Sequence, residues 1–184
     1  MSSRRLLEHL SVEDYLEGEK ASQVRHEYIA GQVYAMAGAS RKHNSIALNL
    51  ASRIRSRIMR GHCQVFMSDV KVRIDVLDVF YYPDVVVSCE PEDSNDYFVS
   101  APCLIIEVTS PSTAAIDRRE KLLSYQKIDS LREYLLVSQD EIKVDVYRRD
   151  DEGRWWVETL GEKDELRMES VDLSIPVSEL YEDI

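Results

Sequence analysis

The chain has 184 residues, 44% hydrophobic and 31% charged, enough apolar material for one core of ordinary size and too regular a mixture for a disordered or fibrous polymer. The formal net charge of -11 argues against a protein that simply coats nucleic acid, because neutralising phosphates takes a basic surface. No apolar run approaches the roughly 18 to 20 residues of a membrane span, and MSSRRLLEHLSVEDYL meets charge too early for a secretory signal, so a cytoplasmic protein with no membrane partner is expected.

Charge is unevenly placed. Residues 129 to 184 hold 17 acids against 7 bases, whereas residues 28 to 68 hold no acid and six bases: Arg41, Lys42, Arg53, Arg55, Arg57 and Arg60. Three cysteines, Cys63, Cys89 and Cys103, stand in no metal-ligand spacing and indicate neither a disulfide framework nor a zinc site. They are expected to be small buried hydrophobes.

In chain order, Ser11 and Asp14 resemble a capping box and predict a helix over 12–20. VRHEYI and QVYAMA about Ala30-Gly31 predict a hairpin. Ile46, Leu50, Ile54 and Ile58 recur at every fourth place, with Ala47 and Ala51 beside them, and predict a long helix ending at Gly61. Its arginines flank the apolar stripe and should face solvent or a partner. CQVFMSDVKVRI, FYYPDVVVSC and APCLIIEV read as strands, followed by SPST and a helix over about 113–128. EYLLVS, KVDVYRR, RWWVETL and a weaker LRMESVDL supply three or four further strands. The expectation is a single α/β domain over 1–184, a mixed sheet flanked by helices.

Glu107, inside Leu104-Ile105-Ile106-Glu107-Val108, must reach a wet cleft or meet a cation, because an unpaired buried carboxylate costs several kcal/mol. Alternation sets Ile105, Glu107 and Thr109 on one face and Leu104, Ile106 and Val108 on the other. The alternative is a strand-end carboxylate bonded to nearby hydroxyl or backbone groups. Asp84 opens another strand after Pro83, where turn chemistry alone could also account for it. Two acids at the ends of adjacent strands suit Mg2+, which is held by one or two carboxylates plus phosphate oxygens. Asp117, Lys121 and Tyr125 are spaced to share one helical face, from which Lys121 could reach that pair or simply bond Asp117 at the surface.

The order SVEDYL, RHEYIAGQVYAMAG, H-N, SDVKVRI, YYPDVVV, IIEVTSPST, D-x-x-EK-x-x-x-Y and REYLLV resembles the Uma2 family of restriction-endonuclease-like proteins, within the PD-(D/E)XK nuclease superfamily, over residues 11 to about 148. The resemblance implies a restriction-endonuclease-like fold and a metal-dependent endonuclease acting on DNA. Asp84 and Glu107 then become metal ligands, with the Val108 carbonyl as a further oxygen for Mg2+ or Mn2+. Thr109 stands where the superfamily commonly has lysine, and the resemblance moves that lysine to Lys121, with Tyr125 in support. Glu27 matches a family acid near the N-terminus, a group at the metal site or a cross-strand partner for Arg25 or a neighbouring lysine. Asp69 is a strand's polar face or a cleft residue. Arg41, Lys42, His43 and Arg53 form the expected nucleic-acid surface, although His43 also suits a structural role at the helix start. A homodimer is expected, since cutting both strands of a duplex commonly pairs two sites. Thr109 and the net charge favour the other reading, a non-catalytic nucleic-acid- or protein-binding module that retains the fold.

Overall fold

The computed structural model describes residues 9–184 apart from 60, 94, 112 and 113. Arg60 and the Ser112-Thr113 junction, where the second long helix was expected to begin, lie outside the described residues. Helix α1 (Val12–Ala21) starts as its sequence predicts, with the Ser11 side chain accepting from the Asp14 N–H. Strands β1 (His26–Ile29) and β2 (Gln32–Ala35) form an antiparallel hairpin whose turn places Ala30 at φ 45° and Gly31 at φ 87°. Two left-handed residues match the twist of a tight hairpin. At Gly31 a Cβ would also collide with the His9 ring.

Helix α2 (Arg41–Ile58) is capped by Ser40, which accepts from the His43 N–H at 3.1 Å. Ile46, Ala47, Leu50, Ala51, Ile54 and Ile58 are its buried stripe. Each larger member contributes about 1.5–3 kcal/mol on full burial, which is what docks the helix.

CQVFMSDVKVRI is two strands rather than one. Ser68, at φ 50°, breaks it into β3 (Gln64–Met67) and β4 (Lys71–Ile74), which join different sheets. A 3-10 turn at Asp75–Leu77 leads to β5 (Val79–Tyr81), β6 (Val85–Ser88), β7 (Phe98–Val99) and β8 (Pro102–Thr109). The following helix is composite: α3 (Ala114–Ile116), a π-helical stretch over Asp117–Lys121, and α4 (Leu122–Tyr125). β9 (Glu133–Ser138), β10 (Lys143–Arg149) and β11 (Trp155–Gly161) follow as expected. LRMESVDL is split by a 3-10 turn at Glu169–Val171 into parts of a hairpin, β12 (Glu165–Met168) and β13 (Leu173–Pro176).

The described strands form a five-stranded sheet, β2-β1-β5-β4-β7, a six-stranded sheet, β11-β10-β9-β8-β6-β3, and the β12-β13 pair. β8 and β9 run parallel, joined by the composite helix as a βαβ crossover requires. One face of the six-stranded sheet buries Val85, Val87, Leu104, Ile106 and Val108 with the α2 stripe and the C-terminal Leu166, Val177 and Leu180. The other face buries Val86, Ile105, Tyr134 and Leu136 with Val72, Ile74, Val79 and Tyr81 of the five-stranded sheet and with Tyr125, Ile128 and Leu131. Glu107 belongs to this second face and therefore points between the sheets.

The cysteines depart from expectation: Cys63 and Cys89 form a disulfide, while Cys103 remains a free thiol. Strand pairing brings the first two together, since Gln64 faces Ser88 and the next residue outward on each strand is a cysteine. The basic stretch is also less open than its sequence implies. Arg53 pairs with Glu179 and Glu182, and Arg57 with Asp172, so the acidic C-terminal segment folds against α2.

Candidate metal and nuclease site

Asp84 and Glu107 meet because β6 and β8 are antiparallel neighbours. Val85 faces Ile106, and one further step along that register sets Asp84 across from Glu107. The Asp84 carboxylate is fixed by the Val108 N–H, which donates to Oδ2 at 2.7 Å. His43 Nε2 lies 3.3 Å from the same oxygen, carried there by the first turn of α2. Burial works against a charged imidazole, but the Asp84 carboxylate and a backbone hydrogen bond to Val108 hold the His43 pKa above its ordinary value.

From the crossover helix, Lys121 Nζ donates to Glu107 Oε1 at 3.0 Å and the Tyr125 hydroxyl donates to the same oxygen at 3.1 Å. Asp117 Oδ1 lies 3.6 Å from the ammonium, and Glu27 Oε1, from β1 of the other sheet, lies 3.0 Å from it. Three elements of the fold thus converge on one lysine. The π-helical stretch serves this convergence: both Asp117 and Lys121 are buried on it. Arg118 is held to the outside by Asp145 at 2.9 Å, and Tyr134 donates to the Asp117 carbonyl at 3.2 Å. Wide turns of this kind recur where helices carry functional groups.

The electrostatics are lopsided. Glu27, Glu107 and Asp117 surround Lys121, and Asp84 stands beside Glu107 with the His43 imidazole at its edge. Burial pushes the Glu107 carboxyl up; Lys121 opposes this, and Asp84 and Asp117 reinforce it. Burial disfavours the Lys121 ammonium, yet Glu107, Glu27 and Asp117 together raise its pKa, so it stays charged at neutral pH. The side chains of Asp84 and Glu27 are 18% and 17% exposed against 5% for Glu107, so the cluster opens to solvent on the side of those two acids.

One atom is out of balance. Glu27 Oε1 is buried and has as its ion-pair partner, at 3.0 Å, the same ammonium that Glu107 and Asp117 share. A buried carboxylate oxygen in that state, inside an excess of negative charge, fits a cation. Among the described residues no three His, Cys, Asp or Glu side chains are gathered as a metal cage. The donors fit an ion that accepts two carboxylates and completes its shell with carbonyl, water and phosphate oxygens, as Mg2+ does, rather than zinc.

The other sequence candidates separate from this cluster. Asp69 is a surface partner of Arg25 at 2.8 Å. Arg41 and Lys42 are exposed at the start of α2, next in the chain to His43, while Arg53 is occupied by the C-terminal segment. Glu27 pairs with a lysine distant in the chain, not with Arg25. Lys71 is buried; it donates to the Tyr82 hydroxyl at 3.2 Å, which donates to Glu19 at 3.0 Å. Asp117 joins the acids through its four-residue spacing from Lys121, the sequence feature that marks it.

A mixed sheet flanked by helices, with two acids meeting at adjoining strand ends and a lysine from the next helix, is the fold of a restriction-endonuclease-like α/β protein. Residues 12–178 match the Uma2 family, described as "putative restriction endonuclease", and the chain belongs to that family. Two proteins of Synechocystis sp. strain PCC 6803 are similar along most of their length. Uncharacterized protein slr1290 is 38% identical over 94% of this chain and 91% of its own. Uncharacterized protein sll1609 is 34% identical over 85% and 91%. Among solved structures, a "putative nuclease belonging to DUF820" from Anabaena variabilis superposes with a TM-score of 0.71 at 20% identity, covering 87% of this chain and 91% of the other, which establishes the shared fold. No helix among the described residues is long and apolar enough to cross a membrane.

Proposed function

We propose that this protein is a Mg2+-dependent endonuclease, also served by Mn2+, that hydrolyses phosphodiester bonds of DNA. The observation that carries this reading is the convergence of Asp84, Glu107, Glu27 and Lys121 between the sheets, where one ammonium is shared among three carboxylates. Asp84, Glu107 and the Val108 carbonyl would hold the ion, with Glu27 beside them. When bound, it supplies polarisation of a phosphoryl oxygen and acidifies water. Lys121, kept protonated by its three carboxylates, orients the attacking water and offsets charge growing on the phosphoryl oxygens. Tyr125 fixes the Glu107 carboxylate, and the Val108 N–H with His43 fixes Asp84. Arg41 and Lys42 lie at the exposed start of α2, where they can meet the phosphate backbone. A homodimer would present two such sites to the two strands of a duplex.

The test is incubation of purified protein with plasmid DNA and Mg2+ or Mn2+, beside the Glu107→Ala and Lys121→Ala variants, with oligomeric state from light scattering. Metal-dependent nicking lost in both variants supports the proposal. Cleavage that survives both substitutions belongs to a contaminant. DNA bound without cleavage under either metal overturns the catalytic reading in favour of a binding module.

A further inference from the structure

The three cysteines lie within or next to the ends of three neighbouring strands of the six-stranded sheet, in the order β8, β6, β3. Cys63 precedes β3 and Cys89 follows β6, at the positions one step beyond the Gln64–Ser88 pair. On the other side of β6, Val87 faces Leu104 but Ser88 faces Pro102, so Cys103 is the residue left over at a β-bulge. A bulge re-aims the side chain of its extra residue. Here it brings the Cys103 thiol to 3.5 Å from Cys89 Sγ, a sulfur already bonded to Cys63. Cys89 therefore has one sulfur partner on each side, one covalent and one in contact.

We infer that the disulfide is movable, passing from Cys63–Cys89 to Cys89–Cys103 and freeing Cys63 as a thiol open to modification by small thiol-reactive disulfides. The Cys103 thiolate forms the new bond to Cys89 Sγ, the Cys63–Cys89 bond breaks, and its electron pair leaves on Cys63 Sγ. The proton given up by Cys103 ends on Cys63. Sulfur oxidation states balance, so the exchange needs no external oxidant. Burial pushes the Cys103 thiol up to about 11, which slows the attack at neutral pH and leaves the two pairings separately trappable. The freed thiol would sit in the connection after α2, where Gly61, His62 and Gln64 are exposed, whereas Cys103 is part of the sheet. A small disulfide such as glutathione disulfide can then attach there, the Cys63 thiolate displacing one glutathione thiolate. In the exchanged state the crosslink leaves β3, the edge strand, and ties two interior strands.

The experiment uses the whole protein, prepared without reductant and equilibrated with glutathione disulfide. Free thiols are trapped with N-ethylmaleimide under native conditions, and linked peptides are identified by mass spectrometry after digestion at acid pH. The expected result is both the Cys63–Cys89 and the Cys89–Cys103 peptides, the second accompanied by Cys63 carrying maleimide or glutathione. In Cys103→Ser, labelling of Cys63 should fall at least ten-fold. In Cys63→Ser, the Cys89–Cys103 bond should form outright. Wild-type protein that yields the Cys63–Cys89 peptide alone, or no disulfide, overturns the inference without any variant having to fold. The readout is independent of DNA cleavage.

Discussion

Two clusters of buried charge in this molecule are built in opposite ways. Glu133 and Arg148 form a closed one. Glu133 accepts from Arg148 Nε at 3.2 Å, from the Glu169 and Ser170 N–H groups at 3.1 and 2.9 Å, and from the Ser170 hydroxyl. Arg148 also reaches Glu158 and the Arg167 carbonyl and stacks on Trp156. These bonds fasten the turn between β12 and β13 to the sheet. The cluster around Lys121 has more acids than cations, makes Glu27, Glu107 and Asp117 share one ammonium, and is partly open to water. A closed network is what stability requires, because a buried charge is tolerated when its partners are complete. An open, anionic one is retained for what it binds.

The sharpest break between the two is in what a substitution destroys. Asp84→Asn keeps shape while removing charge from the open cluster, and plasmid nicking should fall about 10⁴-fold or more, roughly 5.5 kcal/mol of transition-state stabilisation. The melting temperature should hold or rise, since one of several crowded carboxylates has been neutralised. Arg148→Ala should do the reverse: about 3–5 kcal/mol of stability lost by urea titration, because buried Glu133 keeps neutral donors but loses its counter-charge, with cleavage per folded molecule unchanged. Replacing both partners, Glu133→Leu with Arg148→Met, should recover much of that loss. A nicking defect in folded Arg148→Ala protein would show that the closed network belongs to the site after all.

Metal addition separates the clusters more gently. At a Mn2+ concentration about 100 times its Kd, linkage predicts roughly 2.7 kcal/mol of added stability, read as a rise in the thermal midpoint. Asp84→Asn and Glu27→Gln should shrink that rise, and Arg148→Ala should keep it from its lower starting point. An equal rise in all of these proteins would mean that the ion stabilises some other surface.

Local signals made the positions of these acids legible. Glu107 stands out because an apolar strand surrounds it, α2 because its stripe repeats over 18 residues, and the first hairpin because Ala30-Gly31 sits between alternating runs. What stayed hidden depends on distant pairing. The disulfide follows from the pairing of β3 with β6, and the quenching of Arg53 and Arg57 from acids more than a hundred positions away. The π-helical stretch is invisible to periodicity because Asp117, Lys121 and Tyr125 keep an α-like spacing through it. The break at Ser68 carries no glycine or proline to announce it; tertiary pairing into two sheets overrides a continuous strand pattern.

The smallest effect tests how firmly α2 delivers His43 to Asp84. Ser40 caps the helix through the His43 N–H and also donates to Gln139 Oε1 at 2.9 Å, so Ser40→Ala removes two bonds at the end that faces the acids. The cap alone is worth about 1 kcal/mol, a fall of about 2–4 °C in the melting temperature for a chain of this size. Most of what docks α2 lies further along, in Ile46, Leu50 and Ile54, all fully buried. Those contacts should hold the helix in place and limit the loss of nicking to less than three-fold. If Ser40→Ala instead costs activity far out of proportion to stability, and Ser40→Asp restores both, then the cap itself aims the imidazole. The open cluster would then depend on a single surface serine for its geometry, a sensitivity that the closed Glu133–Arg148 network, held by several bonds at once, does not share.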